Sequence, residues 1–249
     1  MGTVIITGGS RGIGAATAQL AAQHGWHVVL SYREQTQAAE DVVARCEAAG
    51  ASALAVKADV ASERDVARLF AAADQWIEAD PGRRPLRGLV NNAGVVGELA
   101  RVEQFSAARL ERTIAVNLTG AFLCAREAVR RMSTRHGGDG GVIVNVSSRA
   151  AVLGGPGEYV DYAAAKAGVD ALTVGLAKEV GAEGIRVAGV RPGLIDTEIH
   201  SPGRLERLGS SPPLGRPGTA LEIAEAIVWL MSDAASYVTG ATVDVSGGR

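Results

Sequence analysis

The chain has 249 residues, 47% of them hydrophobic, with 25 basic and 27 acidic side chains and a formal net charge of −2. That length suits one large α/β domain with a sizeable core, and the near-neutral balance excludes the electrostatic footprint of a nucleic-acid or anionic-membrane binder. No apolar run reaches the roughly 20 residues that cross a bilayer, so neither nucleic acid nor membrane is expected as a partner.

Met1-Gly2 run directly into an apolar strand at 3–7, so no secretory signal is expected. Further strands are predicted at 27–32, 52–57, 88–91, 141–146, 185–190 and 242–245, all nearly continuously apolar, as parallel strands covered on both faces must be. Between them, alanine-rich amphipathic stretches predict helices at 12–24, 36–49, 63–78, 107–134, 162–183 and 220–232. Ser62 with Asp65 three positions on gives the third helix a capping-box-like start. Strands alternating with helices predict an α/β fold, a single-domain doubly wound parallel sheet of about seven strands, its crossovers right-handed. No composition shift divides residues 1–249, and the longest stretch without periodicity, 198–218, is placed where a substrate loop leaves a late strand. Cys46 and Cys124 follow no metal or redox spacing, and His24, His27, His136 and His200 are scattered. No metal site is expected, and reduced, unpaired thiols point to a cytoplasmic protein.

The first strand leads into Thr7-Gly8-Gly9-Ser10-Arg11-Gly12-Ile13-Gly14 and then into a helix. Glycines at 8, 12 and 14 allow a tight turn, close approach of phosphate to backbone and close helix–strand packing. The helix start offers unpaired N–H groups and a positive dipole end to a pyrophosphate. At the end of the second strand, Leu30-Ser31-Tyr32-Arg33 carries no acid to meet a ribose 2′-hydroxyl. Arg33 and Arg11 instead suit a 2′-phosphate, which guanidinium binds through paired charge-assisted bonds, with the Ser31 hydroxyl as an added donor. NADP is therefore the expected cofactor. Asp59-Val60 after the third strand suits the adenine amino group, and Asn91-Asn92-Ala93-Gly94 puts small residues where a ribose passes.

Tyr162 and Lys166, four residues apart on a predicted helix, share one face. A free tyrosine has a pKa of about 10, and a neighbouring cation moves it toward the working pH that acid–base catalysis needs. Ser147-Ser148 lie upstream at the end of an apolar run.

These residues together give the chain its resemblance to the short-chain dehydrogenase/reductase family, from end to end. It shows Thr-Gly-x-x-x-Gly-x-Gly at 7–14, Asn-Asn-Ala-Gly at 91–94, Asn117, Ser-Ser at 147–148, Tyr-x-x-x-Lys at 162–166 and Pro-Gly at 192–193. The resemblance implies a Rossmann-like sheet, a nicotinamide cofactor, and hydride transfer between NADPH and a carbonyl or alcohol substrate. It makes Tyr162 the acid–base group, with Lys166 lowering its pKa and holding the nicotinamide ribose. Ser148 bonds the substrate oxygen, and Asn117 supports a water that relays protons to Lys166. Pro192, Gly193, Ile195 and Thr197 line the nicotinamide. The fourteen positions from Ser148 to Tyr162 are one more than in many members, which leaves Ser147 as the alternative to Ser148.

Within the family the chain is similar to bacterial 3-oxoacyl-carrier-protein reductases and glucose dehydrogenases. A carrier-linked acyl substrate needs a basic patch near the entrance, for which Arg130, Arg131 and Arg135 are candidates, a solvated helix face being the plainer reading. Two other classes stand beside the enzyme. A non-catalytic NADP-binding regulatory protein typically loses part of the tyrosine–lysine–serine set, which is whole here. A sugar-nucleotide epimerase or dehydratase usually needs a further nucleotide-sugar domain. Long alanine-rich helices at 107–134 and 162–183 and the last strand predict a homotetramer, with a dimer as second choice.

Overall fold

Seven of the predicted apolar runs pair side by side in one sheet. A computed structural model describes residues 1–199 and 203–249, without the side chain of Arg204; His200, and with it part of the expected substrate loop, lies outside the described residues. The strands are β1 (Thr3–Ile6), β2 (His27–Tyr32), β3 (Ala53–Lys57), β4 (Leu86–Asn91), β5 (Gly141–Val146), β6 (Ile185–Pro192), β7 (Ile195–Asp196), β8 (Gly218–Thr219) and β9 (Thr242–Val245). The large sheet has the order β3-β2-β1-β4-β5-β6-β9, and all its pairings are parallel. The helices are α1 (Gly12–Gln23), α2 (Thr36–Ala48), α3 (Glu63–Glu78), α4 (Ala107–Ile114), α5 (Gly120–Met132), α6 (Ala150–Leu153), α7 (Val160–Val180), α8 (Arg204–Leu208) and α9 (Ala220–Met231).

Successive side chains of a strand point to opposite faces, and both faces here are apolar because both are covered. Val4, Ile6, Val28, Leu30 and Val144 pack under α1, α2 and α9 through Ala18, Val42, Ile223 and Ile227. Ile5, Val29, Leu89 and Ile143 pack under α3, α5 and α7 through Phe70, Leu69, Ala128 and Val180. Each large side chain fully buried this way contributes about 1.5–3 kcal/mol relative to exposure. The strand order reverses direction between β1 and β4, so a crevice opens there beyond the carboxyl ends of the strands.

Three helical expectations change. The single helix expected over 107–134 is broken by a π turn at residues 115–119. The Asn117 amide donates to the Thr113 carbonyl at 2.9 Å, taking the acceptor that a main-chain N–H would use in a continuous helix. The aperiodic segment 198–218 contains the short helix α8, and β7 and β8 pair in a small parallel sheet at its two ends. Ser62 does cap α3 by accepting from the Asp65 N–H at 3.3 Å, but the Asp65 carboxylate turns to the Asp59 N–H at 3.1 Å instead of returning to Ser62.

Candidate active site

A cleft of about 710 Å³ lies across the carboxyl ends of the strands. Its nucleotide half is built mainly from main chain. Gly8 has φ +65°, the left-handed region that favours glycine. A Cβ on Gly14 would lie 2.3 Å from the Gly8 carbonyl, so only glycine lets α1 start this close to the loop. Arg11 at the N-cap of α1 is extended and makes no side-chain cap, and Gly12 and Ile13 line the cleft beside Ser10 and Gly8. Asn92 stiffens the loop: its amide donates to the carbonyls of Thr7 and Gly8 at 2.8 and 3.0 Å. The Thr7 hydroxyl in turn accepts from the N–H groups of Asn92 and Ala93.

Ser31, Tyr32 and Arg33 at the end of β2 also line the cleft. Ser31 is buried, and its Oγ accepts from the Gly8 N–H at 3.2 Å. Arg33 makes an exposed ion pair with Glu34 at 2.5 Å. Asp59 and Val60 line the far end. Burial alone would raise the Asp59 pKa, but the Arg112 guanidinium at 2.8 Å and the Ala61 N–H hold it below the usual carboxylate range. Ala93 and Gly94 follow as expected, whereas Asn91 does not line the cleft. It is buried, and its amide donates to the Ala121 carbonyl and to Asn145 Oδ1 at 3.2 and 2.9 Å. The alternation at the strand end turns Asn91 inward and leaves Asn92 at the cleft. Gly14 likewise acts through packing and not as part of the cleft wall.

In the other half, Ser148, Tyr162 and Lys166 come together from the end of β5 and the first two turns of α7. The Ser148 side chain neighbours the Tyr162 hydroxyl. Ser147 is buried and its hydroxyl donates to the Lys166 carbonyl at 3.1 Å. Lys166 Nζ donates to the Val146 carbonyl at 2.7 Å and lies 5.7 Å from the Tyr162 ring centroid. The expected lowering of the tyrosine pKa by Lys166 is absent. Burial pushes Tyr162 up to about 12, Ser148 opposes it, and the nearby Tyr159 adds to the rise. Burial brings Lys166 down to about 8 against the pull of Asp170. The lysine is tethered to the Val146 carbonyl, and desolvation of the phenol decides the sign.

Asn117 lies outside the main cleft, on the wall of a small cavity of about 10 Å³ shared with Lys166, Asn91 and Thr7. Its amide donates to Val95 and Thr113 and its oxygen accepts from the Val95 N–H. Pro192, Gly193, Ile195 and Thr197 line the cleft, and a Cβ on Gly12 would meet the Thr197 methyl at 3.4 Å.

Comparison with known proteins decides what this arrangement is. Residues 8–249 match the family model described as Enoyl-(Acyl carrier protein) reductase. The chain is 51% identical over 253 residues, all of both chains, to the uncharacterized oxidoreductase YgfF of Escherichia coli (strain K12). It is 38% identical to the 3-oxoacyl-[acyl-carrier-protein] reductase of Synechocystis sp. (strain ATCC 27184 / PCC 6803 / Kazusa), covering 98% of this chain and 95% of that one. The chain belongs to the short-chain dehydrogenase/reductase family. Its fold is similar to that of a short-chain dehydrogenase from Burkholderia cenocepacia J2315 in complex with NADP, with TM-score 0.88, 30% identity and coverage of 99% and 97%. As a member of this family the protein is an oxidoreductase, and the family binds NAD(P). The glycine loop, the open start of α1 and the cleft fit such a group. Among the described residues no helix is long and apolar enough to cross a membrane.

The candidate basic patch fails on geometry. Arg130 pairs with Glu127, Arg131 with Asp74 and Glu127, and Arg135 with Glu183. Arg130 and Arg131 lie in the last turn of α5 and Arg135 just after it, on the way to the start of β5, whereas the cleft lies beyond the strand's other end. Sequence reasoning missed Thr7 and Asn92 as loop supports; beside the site, the Tyr159 ring meets Tyr162 edge-on at 5.8 Å.

Proposed function

We propose that the protein is an NADP-preferring oxidoreductase that interconverts a small-molecule carbonyl and its alcohol, with Tyr162 as the acid–base group. The observation that carries this reading is the convergence of Ser148, Tyr162 and buried Lys166 on the cleft wall, with the lysine one turn along the same helix as the tyrosine. The nicotinamide, when bound, supplies or takes the hydride. In the reductive direction Tyr162 gives its proton to the carbonyl oxygen as negative charge develops there. A phenol pushed up to about 12 is fully protonated at neutral pH, which suits the acid role. Ser148 donates a hydrogen bond to the same oxygen. Lys166, at about 8, is mostly charged at pH 7, and its tether to Val146 leaves two N–H donors for the cofactor ribose and for proton return. Asn117 borders the adjoining small cavity, whose size is near that of one water, in keeping with a water relay.

NADP preference is supported by Arg11 at the start of α1 and Arg33 at the end of β2, both in the cleft wall. Arg33 is engaged by Glu34, but an exposed pair of this kind contributes only about 0–1 kcal/mol, so exchanging it for a phosphate costs little. The remaining walls include Val95, Leu99, Leu153 and Leu208, which favour a substrate with an apolar body. Exposed Leu110, Ile114 and Phe122, with Trp229 and Tyr237, support a homotetramer or dimer. Buried free Cys46 and Cys124 accord with a cytoplasmic location.

Titration of the protein with NADPH and NADH side by side, followed by NADPH oxidation over a panel of carbonyl compounds, tests the proposal. Tighter NADPH binding and turnover are expected. Preference for NADH overturns the cofactor assignment, and binding without turnover on any carbonyl points to a regulatory protein.

A further inference from the structure

Asp161 immediately precedes Tyr162, and its side chain is 0% exposed. A carboxylate so enclosed is stable only when donors surround it. Arg109 of α4 reaches it with two prongs, Nε to Oδ2 at 2.8 Å and Nη2 to Oδ1 at 3.1 Å. Thr113, one turn further along α4, donates to Oδ2 at 3.1 Å. The main-chain N–H of Tyr162, next in the chain, also favours the charged carboxylate. Burial alone would raise the Asp161 pKa, but these partners hold it below the usual carboxylate range.

The same guanidinium also reaches the opposite wall. Arg109 Nη1 donates to the Glu98 carbonyl at 2.6 Å, and the group lies 3.8 Å from the Phe105 ring centroid. A second tie joins the two segments where the Ala100 N–H meets the Glu158 carbonyl at 3.0 Å. Glu98 and Leu99 on one side, and Tyr159 and Tyr162 on the other, line the cleft, whereas Arg109, Thr113 and Asp161 do not. Arg109 is therefore placed to fix both walls from outside the cleft lining.

We propose that Arg109 and Asp161 are positioning residues for the oxidoreductase reaction, holding the main chain at Tyr162 in register with the Glu98 loop across the substrate end of the cleft. The inference rests on Tyr162 being the acid–base group. It uses the planar fork of arginine: a lysine keeps the charge but not the two-pronged contact together with the Glu98 bond. A misplacement of about 1 Å at the reacting centre costs on the order of 100-fold in rate.

The test compares Arg109→Lys, Arg109→Met and the double variant Arg109→Met/Asp161→Asn with the parent protein. In Arg109→Lys, kcat is expected to fall about 10- to 100-fold while NADPH affinity stays within about twofold. Amide hydrogen exchange over residues 158–163 is expected to quicken in that variant, with α9 unchanged. Arg109→Met strands a buried carboxylate and loses thermal stability. The double variant removes both charges, so stability returns while kcat stays low; return of kcat with stability overturns the proposal, because the pair is then merely structural. Unchanged kcat and exchange in Arg109→Lys overturn it too. Tyr162→Phe run in parallel separates the two readings. If that variant keeps turnover, the acid–base assignment falls, and the exchange data alone decide whether Arg109 fixes this turn.

Discussion

At the nucleotide end of the cleft the walls are largely main chain, shaped by Gly8, Gly12 and Gly14 and braced by Asn92. At the substrate end they are side chains brought from the end of β5, the loop after β4, the first turns of α7 and α8. The first construction depends on what is missing, since a Cβ at Gly14 has nowhere to go. The second depends on what is added, and on burial that moves Tyr162 and Lys166 in opposite directions, to about 12 and about 8. A change at the first end is therefore expected to alter which nucleotide binds, and a change at the second to alter turnover.

Tyr162→Phe is the sharpest way to break this division. It should lower kcat by about 10²–10⁴-fold, the usual weight of a general acid or base, with NADPH affinity measured by fluorescence titration nearly unchanged. Loss of NADPH binding would show that the two ends are not separable. Ser148→Ala should lower kcat by about 10²-fold, comparable to removal of one oxyanion donor. Ser147→Ala, whose hydroxyl meets only the Lys166 carbonyl, should leave kcat close to parent. The reverse ranking reassigns the substrate contact to Ser147.

At the nucleotide end, Arg33→Asp should weaken NADPH by about 10- to 100-fold, the range of a lost charge-assisted bond, and leave NADH binding near its original strength. Equal loss of both nucleotides, read calorimetrically, removes the 2′-phosphate role. The smallest effect is on pH dependence. Lys166 is charged below about 8 and neutral above it, and Tyr162 remains protonated across the same window. For NADPH-dependent reduction, kcat/KM should fall about tenfold between pH 7 and 9, since it reports groups of the free enzyme. A rise through pH 8 would mean that neutral Lys166 is the active form.

Chain order and periodicity made the sheet readable, because a parallel strand buried on both faces shows as an unbroken apolar run, as at Val4-Ile5-Ile6 and Val28-Val29-Leu30. Helix ends were less legible. The π turn at 115–119 follows from competition between the Asn117 amide and a main-chain N–H for one carbonyl, which periodicity does not encode. The α8 helix escaped because its five residues are too short to repeat an apolar stripe. At the site, the glycine loop and Tyr162–Lys166 were visible because their partners are close in sequence.

What the sequence by itself determined is the parallel α/β alternation, the glycine loop at its first turn, and a tyrosine and lysine on one helical face. These are local properties, set by side-chain periodicity and by the absence of a Cβ. Only the tertiary structure decided that Asn91 turns inward while Asn92 braces the loop, and that Ser148 meets Tyr162. It also decided that Arg109 spans 52 positions to hold Asp161. It set the protonation of the pair as well, because desolvation depends on everything packed around a group and not on its neighbours in the chain.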